Sequence, residues 1–252
     1  LRLDLYHYDL LLYDFSKAFD SCDHEVIFAL LAHVGVPEDI IRGVRTLFTN
    51  AYCHTTFPGA TPARIDFNRG IKQGCPLSPL LFVLLMDVLM SLLKTIRELE
   101  NRMYADDTAS GSEHISLLTL ARVKKIFDFF GNATGLRINS SKTSFITTRP
   151  HSSYPTITRN LSLVGWDKVG IKVSEKYLGL LLGPGVSYGD AFYAPYTKFS
   201  NRLNSYLPFA PRLSLTSKIQ TLNTFLTPLL SFPLSYYPFP SNYLTQFTQD
   251  TH

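Results

Sequence analysis

Two adjacent carboxylates, Asp106 and Asp107, interrupt a strand-like run of apolar and small residues from Arg102 to Ser110 (Arg-Met-Tyr-Ala-Asp-Asp-Thr-Ala-Ser), and no other stretch limits the fold as much. The pattern reads as a β-hairpin with acids at its tip. Side-by-side carboxylates repel, and sheltering them at a sheet end is costly unless a cation neutralises the pair. On these residues alone the pair fits either a solvated β-turn or a divalent-cation site. A third acid bears on the choice. Far upstream, the stretch from Leu11 to Asp20 (Leu-Leu-Tyr-Asp-Phe-Ser-Lys-Ala-Phe-Asp) is another short apolar strand that ends in a carboxylate, Asp14. Two strands that each deliver Asp at one end can build a site for two metal ions roughly 3.5–4 Å apart.

With both stretches in view, the chain resembles the reverse transcriptases of non-LTR (LINE-like) retrotransposons. Tyr104-Ala-Asp-Asp107 is similar to their YxDD signature, and the run from Asp14 to Asp20 to its partner motif. Between them, the run from Gly70 to Phe82 resembles the QG-x-P-x-SP motif; downstream, the runs from Gly135 to Thr143 and from Tyr177 to Gly179 resemble the next two. These motifs stand in family order and the likeness covers roughly residues 10–240. Telomerases and group II intron enzymes share the palm, but the Phe-Ser-Lys-Ala-Phe-Asp wording is similar to the retrotransposon class.

The resemblance implies an α+β fold: a polymerase palm, with an antiparallel sheet backed by helices, followed by a mainly helical thumb. The fingers are expected to be largely missing, because only about ten residues precede the Asp14 motif. The palm would occupy 1–182, including a primer-grip-like turn near 177–179. A thumb-like helical region would follow at 190–240, and a disordered tail at 241–252.

The activity implied is RNA-directed DNA synthesis, extending a primer 3′-hydroxyl on an RNA template by two-metal nucleotidyl transfer. Its cofactors would be two Mg²⁺ ions, with Mn²⁺ able to substitute; its partners would be an RNA template, a DNA primer and dNTPs. Asp14, Asp106 and Asp107 match the catalytic and metal-binding carboxylates, and the backbone oxygen of Phe15 a further ligand. Phe19, five residues past Asp14, matches the aromatic that closes against the sugar's 2′ carbon and makes the product DNA. Gln73 and Gly74 match the turn beside the incoming nucleotide, Lys142 a lysine near its phosphates, and Tyr177, Leu178 and Gly179 the primer grip. Lys198, Arg202, Arg212 and Lys218, set among Tyr and Phe, suit contact with a duplex backbone. A second reading is a catalytically inactive fragment of a decayed element that retains only weak nucleic-acid binding. The shortness of the chain favours that reading; the intact Asp14, Phe19, Gln73, Asp106 and Asp107 favour the polymerase.

The residues carry part of this case without the resemblance. A chain of 252 residues, 45% apolar and 17% charged, can bury a sizeable core. Cys22, Cys53 and Cys75 have neither CxxC spacing nor a disulfide pattern, which fits a reducing compartment. Charge is uneven: residues 1–120 carry 10 Lys/Arg against 15 Asp/Glu, and residues 121–252 carry 14 against 5. An acidic metal site beside a basic nucleic-acid track would look like this. The longest apolar run, Pro76 to Leu93, contains Asp87 and begins with prolines, so it reads as a buried helix rather than a membrane span. No signal peptide is expected, and the location implied is intracellular, nuclear or cytoplasmic.

In chain order, residues 5–14 read as a strand. Asp23 caps a helix with Ile27, Leu30, Leu31 and Val34 on one face and Gly35 at its end; Pro37 starts a second with Ile40, Ile41, Val44, Leu47 and Phe48. Residues 52–57 and 63–67 form a hairpin leading to the Gln73-Gly74 turn, where Gly74 permits close backbone approach and Pro76 and Pro79 fix the helix entry. Residues 114–134 read as a helix with Leu117, Leu118, Ala121, Ile126, Phe129 and Phe130 inward. Leu136–Asn139 and Thr143–Thr147 read as short strands flanking Lys142. Residues 149–170 lack periodicity and read as a connection; 172–182 read as a strand pair, and about 195–207 and 214–231 as helices.

Overall fold

Leu11, Leu12 and Tyr13 are all buried, so the strand that contains them is covered on both faces and sits at the centre of a sheet. The computed structural model describes residues 7–59, 61–241 and 243–244; the rest of the tail expected at 241–252 lies outside these residues. The chain divides into two compact units between Lys172 and Val173.

In the first unit the elements are β1 (Asp9–Tyr13), α1 (Ala18–Ser21), α2 (His24–His33), α3 (Glu38–Phe48), β2 (Tyr52–Thr55), β3 (Ala63–Asp66), α4 (Ser78–Leu93), β4 (Glu100–Tyr104), β5 (Asp107–Ser112), α5 (Leu117–Thr134), β6 (Ser144–Thr147), α6 (Tyr154–Leu163) and β7 (Gly170–Lys172). Five strands form one sheet in the order β4-β5-β1-β6-β7, and β2 pairs with β3 separately. The sheet is antiparallel, as expected, across β4, β5, β1 and β6, and its edge strand β7 runs parallel to β6. Their connection contains α6, and a strand–helix–strand crossover is what parallel neighbours require. Residues 149–170, which lack periodicity and read as a connection, contain this helix, and Ile157, Leu161, Trp166 and Val169 all enter the core.

Local chemistry explains several helix ends. The Asp23 carboxylate accepts from the Glu25 and Val26 amides, Ser116 accepts from Thr119, and Gly135 (φ 84) closes α5 in the left-handed conformation. α4 buries Leu81, Phe82, Leu85, Met86, Leu89 and Leu93, and keeps Asp87 at the surface. Among the described residues no helix is long and apolar enough to cross a membrane. Two faces differ from their sequence reading. In α5 the inward set is Leu120, Val123, Phe127 and Phe130, while Leu118 and Phe129 are 69% and 63% exposed; in α3 Ile40 and Leu47 are also exposed. Their spacing fitted a helical face, but α5 turns a different stripe to the sheet.

A buried ion pair ties the sheet together, and nothing in the sequence reading anticipated it. The Asp9 carboxylate, fully buried, accepts from the Ile115 amide (2.8 Å), the Thr147 hydroxyl (2.7 Å) and Arg149 Nε (3.0 Å), and also pairs with Arg149 Nη2. It joins β1 to the end of β6 and to the junction of β5 with α5. Burial lowers the pKa of Arg149 from its ordinary value.

The second unit holds the hairpin β8 (Glu175–Tyr177) and β9 (Leu180–Leu182), then α7 (Tyr188–Tyr206), α8 (Leu215–Thr221), a π-helical stretch Leu222–Leu226 and α9 (Thr227–Leu234). Phe192, Phe199, Leu203, Leu226 and Leu230 form its core. The 177–179 turn lies within this unit. The Tyr237 hydroxyl donates to the Leu181 carbonyl (3.0 Å), and β9 packs on α7. Helix α7 starts at a Ser187–Asp190 capping box and carries Pro195 within it.

Candidate active site

The β1–β5 ladder ends at the pair Tyr13↔Thr108, so the next residue on one strand is Asp14 and the preceding one on the other is Asp107. Asp106 stands beside Asp107 in the tight turn that joins β4 to β5, where Ala105 takes a positive φ of 52° and Tyr104 pairs with Asp107. Three carboxylates from two adjacent strands thus share one sheet end.

Electrostatics agree with that proximity. The Asp107 carboxyl is held above its ordinary range, first by partial desolvation, then by the charges of Asp106 and Asp14. Asp14 is half-buried, and its Oδ2 is buried with no hydrogen-bond partner. A buried carboxylate oxygen without a partner is costly, and neighbouring acids raise the cost. A divalent cation would relieve both, so the residues fit one. Among the described residues no group of three His, Cys, Asp or Glu side chains forms a ready metal cage. That is compatible with a hard cation that takes few protein carboxylates and keeps waters and substrate phosphate in its shell.

The segment after Asp14 is laced to its surroundings by backbone. The Ile71 amide donates to the Phe19 carbonyl, Gly70 to Cys22, and Asp23 to Thr134. Close approach dictates two glycines here. A Cβ at Gly70 would lie 2.8 Å from the Asp20 oxygen, and one at Gly135 would lie 2.3 Å from the Ser21 oxygen. Held this way, the Phe19 ring stacks on Phe82 of α4, centroids 4.4 Å apart and nearly parallel. Gln73 and Gly74 form an exposed turn; Gly74 has a φ of 88°, and a side chain there would meet open space.

Lys142 is exposed in the loop that borders Asp14. Tyr177, Leu178 and Gly179 lie in the second unit, at a turn whose central residues both have positive φ, 48° and 85°. Lys198, Arg202 and Arg212 are exposed there and Lys218 half-buried; Arg202 Nη1 donates to the Phe225 carbonyl (3.0 Å). The basic excess is not concentrated in that unit. Residues 121–172 carry nine Lys/Arg against two Asp/Glu, whereas 173–252 carry five against three.

A sheet backed by helices, with acids at the ends of adjacent central strands and a helical unit after it, is the architecture of a polymerase palm followed by a helical region. Comparison with known proteins then identifies the family: residues 7–182 match that described as reverse transcriptase (RNA-dependent DNA polymerase), and the chain belongs to it. Its resemblance to the non-LTR retrotransposon class stands within that family. The chain is 31% identical over 180 residues to the retrovirus-related Pol polyprotein from type-2 retrotransposable element R2DM of Drosophila melanogaster, covering 66% of this chain and 17% of that protein. It is 29% identical over 141 residues to the transposon TX1 uncharacterized 149 kDa protein of Xenopus laevis, covering 52% of this chain and 11% of that one. The chain thus spans less than a fifth of the length of these curated relatives. Its fold is similar to apo telomerase from Candida tropicalis truncated from its C-terminal domain, with a TM-score of 0.54 at 15% identity, over 71% of this chain and 34% of that one. Reverse transcriptases as a family generally use divalent metals.

Proposed function

We propose that this chain is the palm and thumb-like part of an RNA-directed DNA polymerase from a non-LTR retrotransposon, extending a DNA primer on an RNA template. The observation that carries the reading is the partnerless, buried Oδ2 of Asp14 beside the charges of Asp106 and Asp107. Asp14 and Asp106 would hold two Mg²⁺ ions (or Mn²⁺) in common, with Asp107 and the Phe15 carbonyl oxygen as further ligands. When bound, such ions lower the pKa of a primer hydroxyl and neutralise charge on a triphosphate. Gln73 and the Gly74 backbone would orient the incoming dNTP, Lys142 would meet its phosphates, and Tyr177, Leu178 and Gly179 would grip the primer end. Positioning and charge placement are most of what a protein contributes to such a transfer. The reading also places the protein in a reducing compartment, nuclear or cytoplasmic, in keeping with three free cysteines.

Phe19 would select the sugar. Stacked on fully buried Phe82, the ring has little room to retreat from a ribose 2′-hydroxyl. Phe19→Ala is expected to raise the ratio of rNTP to dNTP incorporation efficiency by about 10–200-fold, the span of about 1–3 kcal/mol of discrimination. Single-turnover primer extension on an RNA template, in the longest encoded polypeptide that carries these residues, measures it. An unchanged ratio removes Phe19 from that role, and absence of any templated extension refutes the polymerase reading.

Nucleic-acid binding has its own test. These 252 residues alone are expected to fold and to bind an RNA–DNA hybrid weakly and without polymerising, with affinity falling steeply as salt rises, because each neutralised phosphate releases counterions. Titration at two salt concentrations reads this. Salt-independent binding would contradict it, as would robust extension by the chain alone.

A further inference from the structure

A bulge in the sheet faces Asp14. The β1–β6 ladder runs in strict register from Asp9↔Thr147 to Leu12↔Ser144 and resumes only at the isolated bridge Phe15↔Ile138. Unbroken pairing would have set residue 141 opposite Phe15, so the second strand carries three additional residues at this point. Residues 139–143 therefore bow out opposite the end of β1. Both backbone groups of Asp14 go to this bow: its amide donates to Thr143 Oγ1 (3.3 Å), and its carbonyl accepts from the Asn139 amide (2.7 Å).

The bow is also closed on itself. The Asn139 side-chain oxygen accepts from the Ser141 amide (3.2 Å) and hydroxyl (2.7 Å), and the Asn139 carbonyl accepts from the amides of Lys142 (3.1 Å) and Thr143 (2.9 Å). Thr143 is 1% exposed. A regular ladder would have served Asp14 with backbone alone. Here the amide of the one site carboxylate with a partnerless buried oxygen depends on a side-chain hydroxyl, and so on residue type.

We propose that Thr143 and Asn139 are positioning residues that clamp the Asp14 backbone from both sides and so fix its carboxylate. Lys142, between the two clamps, is set in constant register with that carboxylate. This inference rests on the reading of Asp14 as a metal ligand. Neither clamp touches substrate; each acts through Asp14.

The test combines hydrogen exchange at the Asp14 amide with single-turnover dNTP incorporation in the longest encoded polypeptide that carries these residues. Thr143→Val removes the acceptor, Thr143→Ser keeps it, and Thr119→Val, which deletes a buried hydroxyl bonded to the Ser116 cap of α5, is a matched structural control. Thr143→Val is expected to speed exchange at Asp14 and to slow incorporation about 10–100-fold at saturating dNTP, with primer–template affinity unchanged. Thr143→Ser should restore both, and Thr119→Val should move melting alone. An Asp14 amide that exchanges at the wild-type rate in Thr143→Val overturns the proposal, as does a rate within about threefold of Thr119→Val. Should Thr143→Val not fold, Asn139→Ala takes its place: it keeps the amide that meets Asp14 and loses only the side-chain contacts to Ser141 that help close the bow. Unchanged exchange and rate in that variant also refute the clamp. An active Asp14→Asn protein would instead break the metal-ligand reading, whereas an inactive one beside a normal Thr143→Val protein would remove only this inference.

Discussion

Asp14→Asn and Asp106→Asn each abolish nucleotide incorporation while the protein remains folded; that is the expected result. The loss should be at least about a thousandfold, because metal-assisted stabilisation is worth several kcal/mol and each ~1.4 kcal/mol is a factor of ten in rate. Stability should survive for reasons visible at the site. Asp14 Oδ2 has no hydrogen bond to lose, Asp106 is exposed, and either change relieves repulsion that already raises the Asp107 pKa. Melting should therefore be unchanged or slightly higher. Primer extension on an RNA template with Mg²⁺, run beside thermal melting, decides the matter. Activity within about tenfold of wild type in either variant would sink the two-metal assignment.

Arg149→Met, by contrast, should cost stability on the scale of the whole fold. It leaves the Asp9 carboxylate in the core without its cation, and breaking a buried pair by removing one partner costs about 3–5 kcal/mol. For a unit of this size that lowers the melting temperature by about 10 °C or more. Adding Asp9→Asn should recover part of the loss, since an amide oxygen still accepts from the Ile115 amide and carries no charge. A single-variant cost below about 1 kcal/mol in urea unfolding would mean that the pair is solvated and contributes little.

These two sites differ in how far the sequence announced them. Asp14 ends an apolar strand and Asp106 and Asp107 sit at the tip of a hairpin, and a carboxylate at such a place is a local signal that needs no knowledge of the fold. The Asp23 cap, the Gly35 and Gly135 helix ends and the 52–66 hairpin were legible for the same reason: each is written within a few residues. The Asp9–Arg149 pair was not, because its members lie 140 positions apart and nothing near either marks the other. The parallel β7 strand was equally hidden, since its partner is set by the path of α6. That helix buries only Ile157 and Leu161 among Thr, Ser and Pro, too few apolar positions to establish a period. The exposed Leu118 and Phe129 show the opposite error, where apolar side chains suggested a face that the sheet does not cover. The bow at 139–143 could be suspected from Asn-Ser-Ser, a turn-forming run, but not its hydrogen bonds to Asp14.

Carboxylates from two strands are proposed to hold a divalent cation at one sheet end, and iron-directed backbone cleavage reads such a site directly. Fe²⁺ is bound in place of Mg²⁺, ascorbate and peroxide are added, and the cut positions are read by mass spectrometry. The expected pattern is cleavage at two places distant in sequence, around residue 14 and around 106–107, suppressed by excess Mg²⁺ and lost in Asp14→Asn. Cleavage confined elsewhere, or a pattern indifferent to both Mg²⁺ and Asp14→Asn, would contradict it.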